Sequence, residues 1–264
     1  LPDDDEKRNF VKIMNPLGEE TSVMRTTLIP NMLDVISTNI SHKVEEVSAF
    51  ECGNTFIPQE GLPIETKKYC VGMYGKEVDF FVLKGVIESV LNNVGLKGYE
   101  IEPETTNLTF HPGRCAKIVY NNIYIGTFGE LHPDVIENYN LGQRVYVAEI
   151  NIDTVFENLN LTKSYNPLPK YPSTSRDIAL IVKDEVFVKQ IEDIIKANGE
   201  DLVESYKLFD VYKGAQIEEG HKSIAYSITY RSKDKTLTDE DVAKVHEKIL
   251  SELSEKLNAN LRSN

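Results

Sequence analysis

Two histidines, one arginine and three glycines lie in residues 111–133, the stretch that comes nearest to a catalytic centre. It reads HPGRCAKIVYNNIYIGTFGELHP. A metal site would need a third ligand, but His111 and His132 are 21 residues apart with no recognised ligand pattern around them. Pro112, Gly113 and Pro133 favour turns instead. The stretch therefore predicts neither a metal site nor a catalytic residue.

The other motifs that would indicate catalysis are missing from the sequence. No Gly-x-Ser-x-Gly elbow and no phosphate-cradling P-loop occurs. The three cysteines, Cys52, Cys70 and Cys115, are an odd number without a C-x-x-C pair, which predicts buried thiols in a reducing compartment. No apolar run approaches the roughly 20 residues of a membrane helix. A cytoplasmic protein with no membrane partner is expected, and the start at Leu1 suggests a segment of a longer polypeptide.

Length and composition predict two domains. The chain has 264 residues, and a domain commonly has about 100 to 200. Residues 161–175 contain three prolines and few large aliphatic side chains, which is typical of a connection between domains. We therefore expect domains at residues 1–164 and 170–264. The net charge of -13 argues against wholesale wrapping of nucleic acid, although most of the negative excess lies in the first domain.

Hydrophobic periodicity predicts an α+β fold in the first domain. Apolar residues at helical spacing indicate helices at 28–40 and 80–91. Strands are predicted at 47–52, 69–74, 116–120, 123–128 and 144–152. The two-residue turn at Asn121 and Asn122 requires antiparallel neighbours, because asparagine tolerates the positive φ of such turns. The prediction is an antiparallel sheet carrying helices.

The second domain reads β-α-β-β-α-β, the order of ferredoxin-like domains. Strands are predicted at 176–182, 202–213, 222–231 and 259–263, and helices at 187–198 and 238–257. Thr238 is the expected N-cap of the last helix. Since this topology serves many functions, it does not select one.

Several segments resemble, in order along residues 15–262, the C-terminal part of the bacterial phenylalanyl-tRNA synthetase beta subunit family. They are NPLGEETSVMRTTLIPNMLDVISTN, FECGNTF, DFFVLKG, HPGR, GELHP, YPSTSRDIALIV, LFDVYKG, GHKS and KTLTDEDV. The resemblance implies a class II synthetase-like antiparallel sheet with helices, followed by a ferredoxin-like anticodon-binding domain. It also implies that the alpha subunit performs catalysis, in an alpha2-beta2 assembly that charges tRNA with phenylalanine.

The resemblance further implies that the first domain is inactive. Class II enzymes stabilise phosphate charge with arginines, but the corresponding segments, AFECGNTF and GTFGELHP, have none. We expect no cofactor in this part of the chain, and ATP and magnesium in the full enzyme. Contacts with the alpha subunit are expected at Met24, Arg25 and Asn31. The apolar residues of helix 28–40 either pack against the alpha subunit and its symmetry mate or face the domain's own sheet. Arg114 either pairs with a carboxylate at an interface or is solvated.

In the second domain the resemblance places anticodon contacts at Tyr212 and Ser223, with Ala179 leaving room for a base. Unpaired bases are read by aromatic stacking and by hydrogen bonds to their edges. Lys213, Lys222 and Arg231 are expected to contact phosphates. The alternatives are half-buried packing for Tyr212 and solvated charges for the lysines. A different function, a regulatory or assembly module that binds subunits or a small ligand, remains the rival hypothesis.

Overall fold

The computed structural model describes residues 5–159, 161, 162, 165, 167–214 and 216–262. The chain divides into two compact units, residues 1–163 and 164–264. Each unit has its own hydrophobic core, and each combines helices with one antiparallel sheet. The predicted α+β class is confirmed.

The first unit contains a six-stranded sheet in the order β1-β2-β6-β5-β4-β3, and every neighbouring pair is antiparallel. Two short 3-10 helices, Glu6–Arg8 and Glu19–Thr21, precede it. The elements of the unit are α1 Ile29–Ser41, β1 Val47–Ile57, β2 Ile64–Tyr74, α2 Phe80–Asn93, β3 Glu100–Pro103, β4 Phe110–Tyr120, β5 Ile123–Leu131, α3 Pro133–Asn138, β6 Tyr146–Asn151 and α4 Ile152–Glu157.

Helices pack on both faces of this sheet. Successive residues of a strand point to opposite faces, and on β2 Cys70 joins the core beneath α1 while Val71 joins the core beneath α2. The buried face of α1 consists of Met32, Leu33 and Ile36. These apolar residues therefore face the unit's own sheet, which was one of the two alternatives for helix 28–40.

The structure extends and corrects the predicted strands. β1, β2 and β4 are each 11 residues long. The predicted strands were shorter, because the real ones continue through polar residues, proline and glycine, which favour turns. His111, Pro112 and Gly113 do not form the predicted turn but lie within β4, at a register shift between Phe110 and Cys115. A bulge accommodates an unpaired proline and glycine in a strand. The turn at residues 121 and 122 is confirmed, with φ of 49° and 64°.

The second unit has the predicted β-α-β-β-α-β order. Its elements are β7 Thr174–Lys183, α5 Val188–Asn198, β8 Val203–Tyr212, β9 His221–Tyr230, α6 Asp239–Leu257 and β10 Asn260–Leu261. The four strands form an antiparallel sheet in the order β10-β7-β9-β8. Apolar side chains from one face of β7 and β9 pack with those of α5 and α6. Thr238 caps α6 as predicted, since its side chain accepts from the Asp241 N–H.

The cysteines differ in exposure. Cys70 and Cys115 are buried, as predicted, whereas Cys52 is exposed on the edge strand β1. Burial raises the pKa of the Cys115 thiol to about 12, and burial also raises that of Cys70. In the described part of the chain, no helix is both long enough and apolar enough to cross a membrane.

These environments predict selective thiol labelling. Because the thiolate is the reactive form, a disulfide reagent at mildly alkaline pH should modify Cys52 rapidly and the other two cysteines only after denaturation. Cys52→Ser should remove the rapid phase, and the matched variant Cys115→Ser should retain it. Rapid modification of two or three thiols in the folded parent would contradict the assigned burial.

Candidate functional site

One face of the second sheet brings three predicted residues together. Tyr212 on β8 pairs directly with Ser223 on β9. Ala179 on β7 pairs with Ala225, which is two residues from Ser223 and therefore on the same face. The neighbouring Ile178 and Leu180 point to the other face, into the core beneath α5 and α6. Tyr212, Ser223 and Ala179 thus share the face opposite that core.

Tyr212 is the exposed aromatic ring of this group. The tyrosine is 37% exposed, whereas Ser223 is 3% exposed. The ring lies against Gly214, where an added Cβ would be only 2.5 Å from the Tyr212 hydroxyl. The guanidinium of Arg262 also lies over the Tyr212 ring, with its Cζ 5.6 Å from the ring centroid. Sequence reasoning missed Arg262, because β10 carries it to this face from the far end of the chain.

The three predicted phosphate contacts are already engaged, and only two lie beside Tyr212. Lys213 forms an ion pair with Asp184, and Lys222 Nζ donates to the Asp184 carbonyl at 2.8 Å. Burial lowers the pKa of Lys222, although Asp184 opposes this effect.

Arg231 lies elsewhere in the same unit. It follows the last residue of β9, eight residues beyond Ser223, which corresponds to roughly 26 Å along a strand. Its Nε donates to Glu204 at 2.9 Å, and its Nη1 donates to the Tyr171 carbonyl at 2.5 Å. The structure therefore does not bring Arg231 to Tyr212 and Ser223.

In the first unit, a buried carboxylate that sequence reasoning missed joins β6 to α1 and β2. Glu149 accepts hydrogen bonds from Thr27 Oγ1 and the Leu28 N–H, both at 2.6 Å, and from Lys68 Nζ at 2.8 Å. Burial alone would raise its pKa, but Lys68 and these hydrogen bonds outweigh burial and hold the pKa of Glu149 below its ordinary value. Thr27 is 122 positions away, so no local spacing indicates this contact.

The predicted subunit contacts differ in their availability. Arg25 Nη1 donates to Glu51 at 2.6 Å and its Nε donates to the Asn54 carbonyl, so the guanidinium lies on β1 of its own unit. Asn31 is exposed at the start of α1, and Met24 is half-buried. Among the three, Asn31 offers the freest side chain.

Arg114 has a partner within its own unit, which neither sequence-based alternative anticipated. Its Nε lies 2.7 Å from Glu130, a buried carboxylate that also accepts from the Tyr146 hydroxyl at 3.2 Å. Burial raises the pKa of Tyr146, and the negative charge of Glu130 raises it further.

The histidines of this stretch bond locally. His111 Nδ1 accepts from the Gly113 N–H at 3.0 Å, and His132 caps α3 by accepting from the Asp134 N–H. Among the described residues, no group of three or more His, Cys, Asp or Glu side chains is placed to hold a metal ion.

Comparison with known proteins adds independent findings. The family described as "Phenylalanyl tRNA synthetase beta chain CLM domain" matches residues 1–152, and the "Ferredoxin-fold anticodon binding domain" matches residues 169–262. The phenylalanine–tRNA ligase beta subunits of Clostridium tetani and Clostridium acetobutylicum are each 46% identical over 99% of this chain. The chain spans 33% of the length of each relative.

A solved pyrrolysyl-tRNA synthetase from Desulfitobacterium hafniense is also similar. The two chains are 12% identical, with a TM-score of 0.47, and the matched region covers 59% of this chain and 55% of the solved chain.

The Glu149 network predicts a large effect on stability. Glu149→Gln removes the charge that compensates Lys68 and should lower the free energy of unfolding of the first unit by about 3–5 kcal/mol. The matched variant Glu102→Gln, which breaks an ion pair with Lys117 on the surface, should change it by less than about 1 kcal/mol. Urea denaturation at neutral pH measures both values, and equal effects would contradict the assignment.

The same network predicts a pH dependence. Because the folded-state pKa of Glu149 is lowered, its stabilisation is complete above the ordinary carboxyl pKa of roughly 4.3 and is lost as pH falls through the folded value. Denaturation midpoints measured between neutral and acid pH should therefore fall more steeply for the parent chain than for Glu149→Gln. Parallel curves would show that Glu149 does not titrate in this way.

Proposed function

The chain belongs to the phenylalanyl-tRNA synthetase beta chain family, and we propose that it is the C-terminal part of a phenylalanine–tRNA ligase beta subunit. In this proposal the first unit is a non-catalytic scaffold for the alpha subunit. The second unit binds the anticodon loop of tRNA while the assembly charges it with phenylalanine in the cytoplasm.

The observation that carries the RNA-binding proposal is the face of the second sheet opposite α5 and α6. This face lies in the segment that matches the anticodon-binding family, and it presents the partly exposed ring of Tyr212 beside Ser223 and Ala179. An unpaired base needs an aromatic surface for stacking and small neighbours that leave room for its edges. Both requirements are met at this position. A strongly basic field is not required for recognition of this kind.

The polar groups of the first unit support a non-catalytic role. Transfer of an adenylyl group places negative charge on phosphate oxygens, which free cations stabilise. The segment of β1 that corresponds to the arginine-bearing segment of class II enzymes has Glu51, and Arg25 is bound to this carboxylate. Lys68 is bound to Glu149, and Arg114 to Glu130. These residues do not fit ATP and magnesium, so we assign both cofactors to the full enzyme.

The glycines of β5 have a structural explanation. A Cβ on Gly126 would lie 2.9 Å from Ile150 Cα, and one on Gly129 would lie 2.8 Å from Cys115 Cα. Both distances are shorter than Cβ atoms tolerate, so the neighbouring strands require glycine at these positions. The glycines that resemble a nucleotide-binding motif therefore serve strand packing.

The proposed partners follow from family membership and from the surface of α1. We place the alpha subunit against the start of α1, with Asn31, Met24 and Arg25 as contacts in an alpha2-beta2 assembly. The rival hypothesis of a regulatory or assembly module is not favoured, because ligase beta subunits match both units in one continuous alignment over 99% of the chain.

Titration with a labelled anticodon stem-loop of phenylalanine tRNA, beside one with a changed anticodon, tests this function directly. The parent chain should bind the phenylalanine stem-loop more tightly than the one with the changed anticodon, at both low and high salt. Tyr212→Ala should weaken binding by about 1–3 kcal/mol, because it removes a stacking surface.

Tyr165→Ala provides the matched control, since this tyrosine is 85% exposed and lies outside the sheet. It should leave the affinity unchanged. Failure of the folded parent chain to bind either stem-loop would contradict the RNA-binding proposal. Equal losses in the two variants would contradict the role of Tyr212.

A further inference from the structure

Arg262 is held by three contacts on the face of the second sheet opposite α5 and α6. Its backbone N–H donates to the Ala179 carbonyl at 2.9 Å, which fixes the residue beside β7. Its Nη2 donates to Gln216 Oε1 at 3.1 Å, and its guanidinium carbon lies over the Tyr212 ring. The Arg262 side chain, which starts at the β10 edge, therefore meets the ring of Tyr212, which starts at the β8 edge.

Within the described part of the chain, no carboxylate forms an ion pair with Arg262. None of the ion pairs among the described residues includes Arg262, whereas Lys213 is paired with Asp184 and Arg231 with Glu204. The Gln216 oxygen accepts one hydrogen bond from a guanidinium that has five N–H donors. Unlike Lys213 and Arg231, Arg262 has a charge without an ion-pair partner among the described residues, and most of its N–H donors remain available beside Tyr212.

We propose that Arg262 contacts the nucleotide whose base stacks on Tyr212. In the free protein the guanidinium covers the ring at 5.6 Å, a separation too small for a base to enter between them. The arriving base displaces the guanidinium from the ring, and the released donors bind acceptor oxygens of the same nucleotide, on its base edge or its phosphate. This inference rests on the proposed function and adds a residue to its site.

The chemistry of arginine suits this exchange. A guanidinium is planar and weakly hydrated, and it stacks on aromatic rings as well as donating in a fixed fork to nucleotide oxygens. Contact with Arg262 keeps the Tyr212 ring partly covered, and binding replaces a cation–π contact with stacking and charge-assisted hydrogen bonds. Arg262 would consequently strengthen RNA binding although it occupies the stacking surface beforehand.

Titration of the 264-residue chain and its variants with the anticodon stem-loop tests the inference. Arg262→Ala should weaken binding by about fivefold to a hundredfold, the range for a lost arginine contact. Lys196→Ala removes one charge from the exposed surface of α5 and should leave the affinity almost unchanged. The parent and the variants should have equal melting temperatures, because the backbone contact of residue 262 to Ala179 persists in each. Equal values would show that folding is retained.

Two further variants identify the acceptor and the shared nucleotide. If Arg262 contacts phosphate, Arg262→Lys should retain most of the affinity. For Arg262→Ala, the slope of the logarithm of the binding constant against the logarithm of the salt concentration should become shallower by about 0.7. If it contacts a base edge, Arg262→Lys should bind as weakly as Arg262→Ala. The double variant Tyr212→Ala with Arg262→Ala should lose less than the sum of the single losses.

The outcomes separate this inference from the proposed function. Unchanged or tighter binding by Arg262→Ala, with Tyr212→Ala still impaired, would overturn the inference alone. Strictly additive losses would place the two residues on different nucleotides and overturn it as well. Absence of binding by the folded parent chain would overturn both the proposed function and the inference.

Discussion

A buried carboxylate that must be compensated determines how the first unit is assembled. Glu149 loses its hydration on folding, which costs several kcal/mol unless charged and hydrogen-bonding partners replace water. The interaction joins three parts of the unit: Thr27 and Leu28 immediately precede α1, Lys68 belongs to β2, and Glu149 itself lies on β6. Satisfying this one group fixes the start of α1 on the sheet, and the core of Met32, Leu33 and Ile36 follows from that position.

Several cations of the first unit are paired internally. Arg25, Lys68 and Arg114 are each bound to a carboxylate of the same unit. A cation used in this way stabilises the fold and is unavailable to developing phosphate charge. This pairing supports the non-catalytic role that we propose for the first unit.

Sequence reasoning predicted the elements with strong periodicity and missed contacts made by the tertiary fold. The apolar stripes of α1 and α6 identified both helices, and the asparagines at 121 and 122 identified a hairpin. The four-residue β3 and the six-residue α3 and α4 are too short to show a period. Tyr212, Ser223 and Ala179 were predicted from the family resemblance, but Arg262 depends on a sheet order that places β10 beside β7.

The two sheets differ in how their faces are used, and this difference supports the proposed functions. Helices cover both faces of the six-stranded sheet, so its surface is available mainly at its edges and on its helices. In the second unit α5 and α6 pack on one face, while small side chains at Ala179, Ser223 and Ala225 line the other. Stacking of a base requires an accessible aromatic ring. This arrangement supports the proposal that the second unit recognises nucleotides, with Tyr212 and Arg262 as its aromatic and cationic groups.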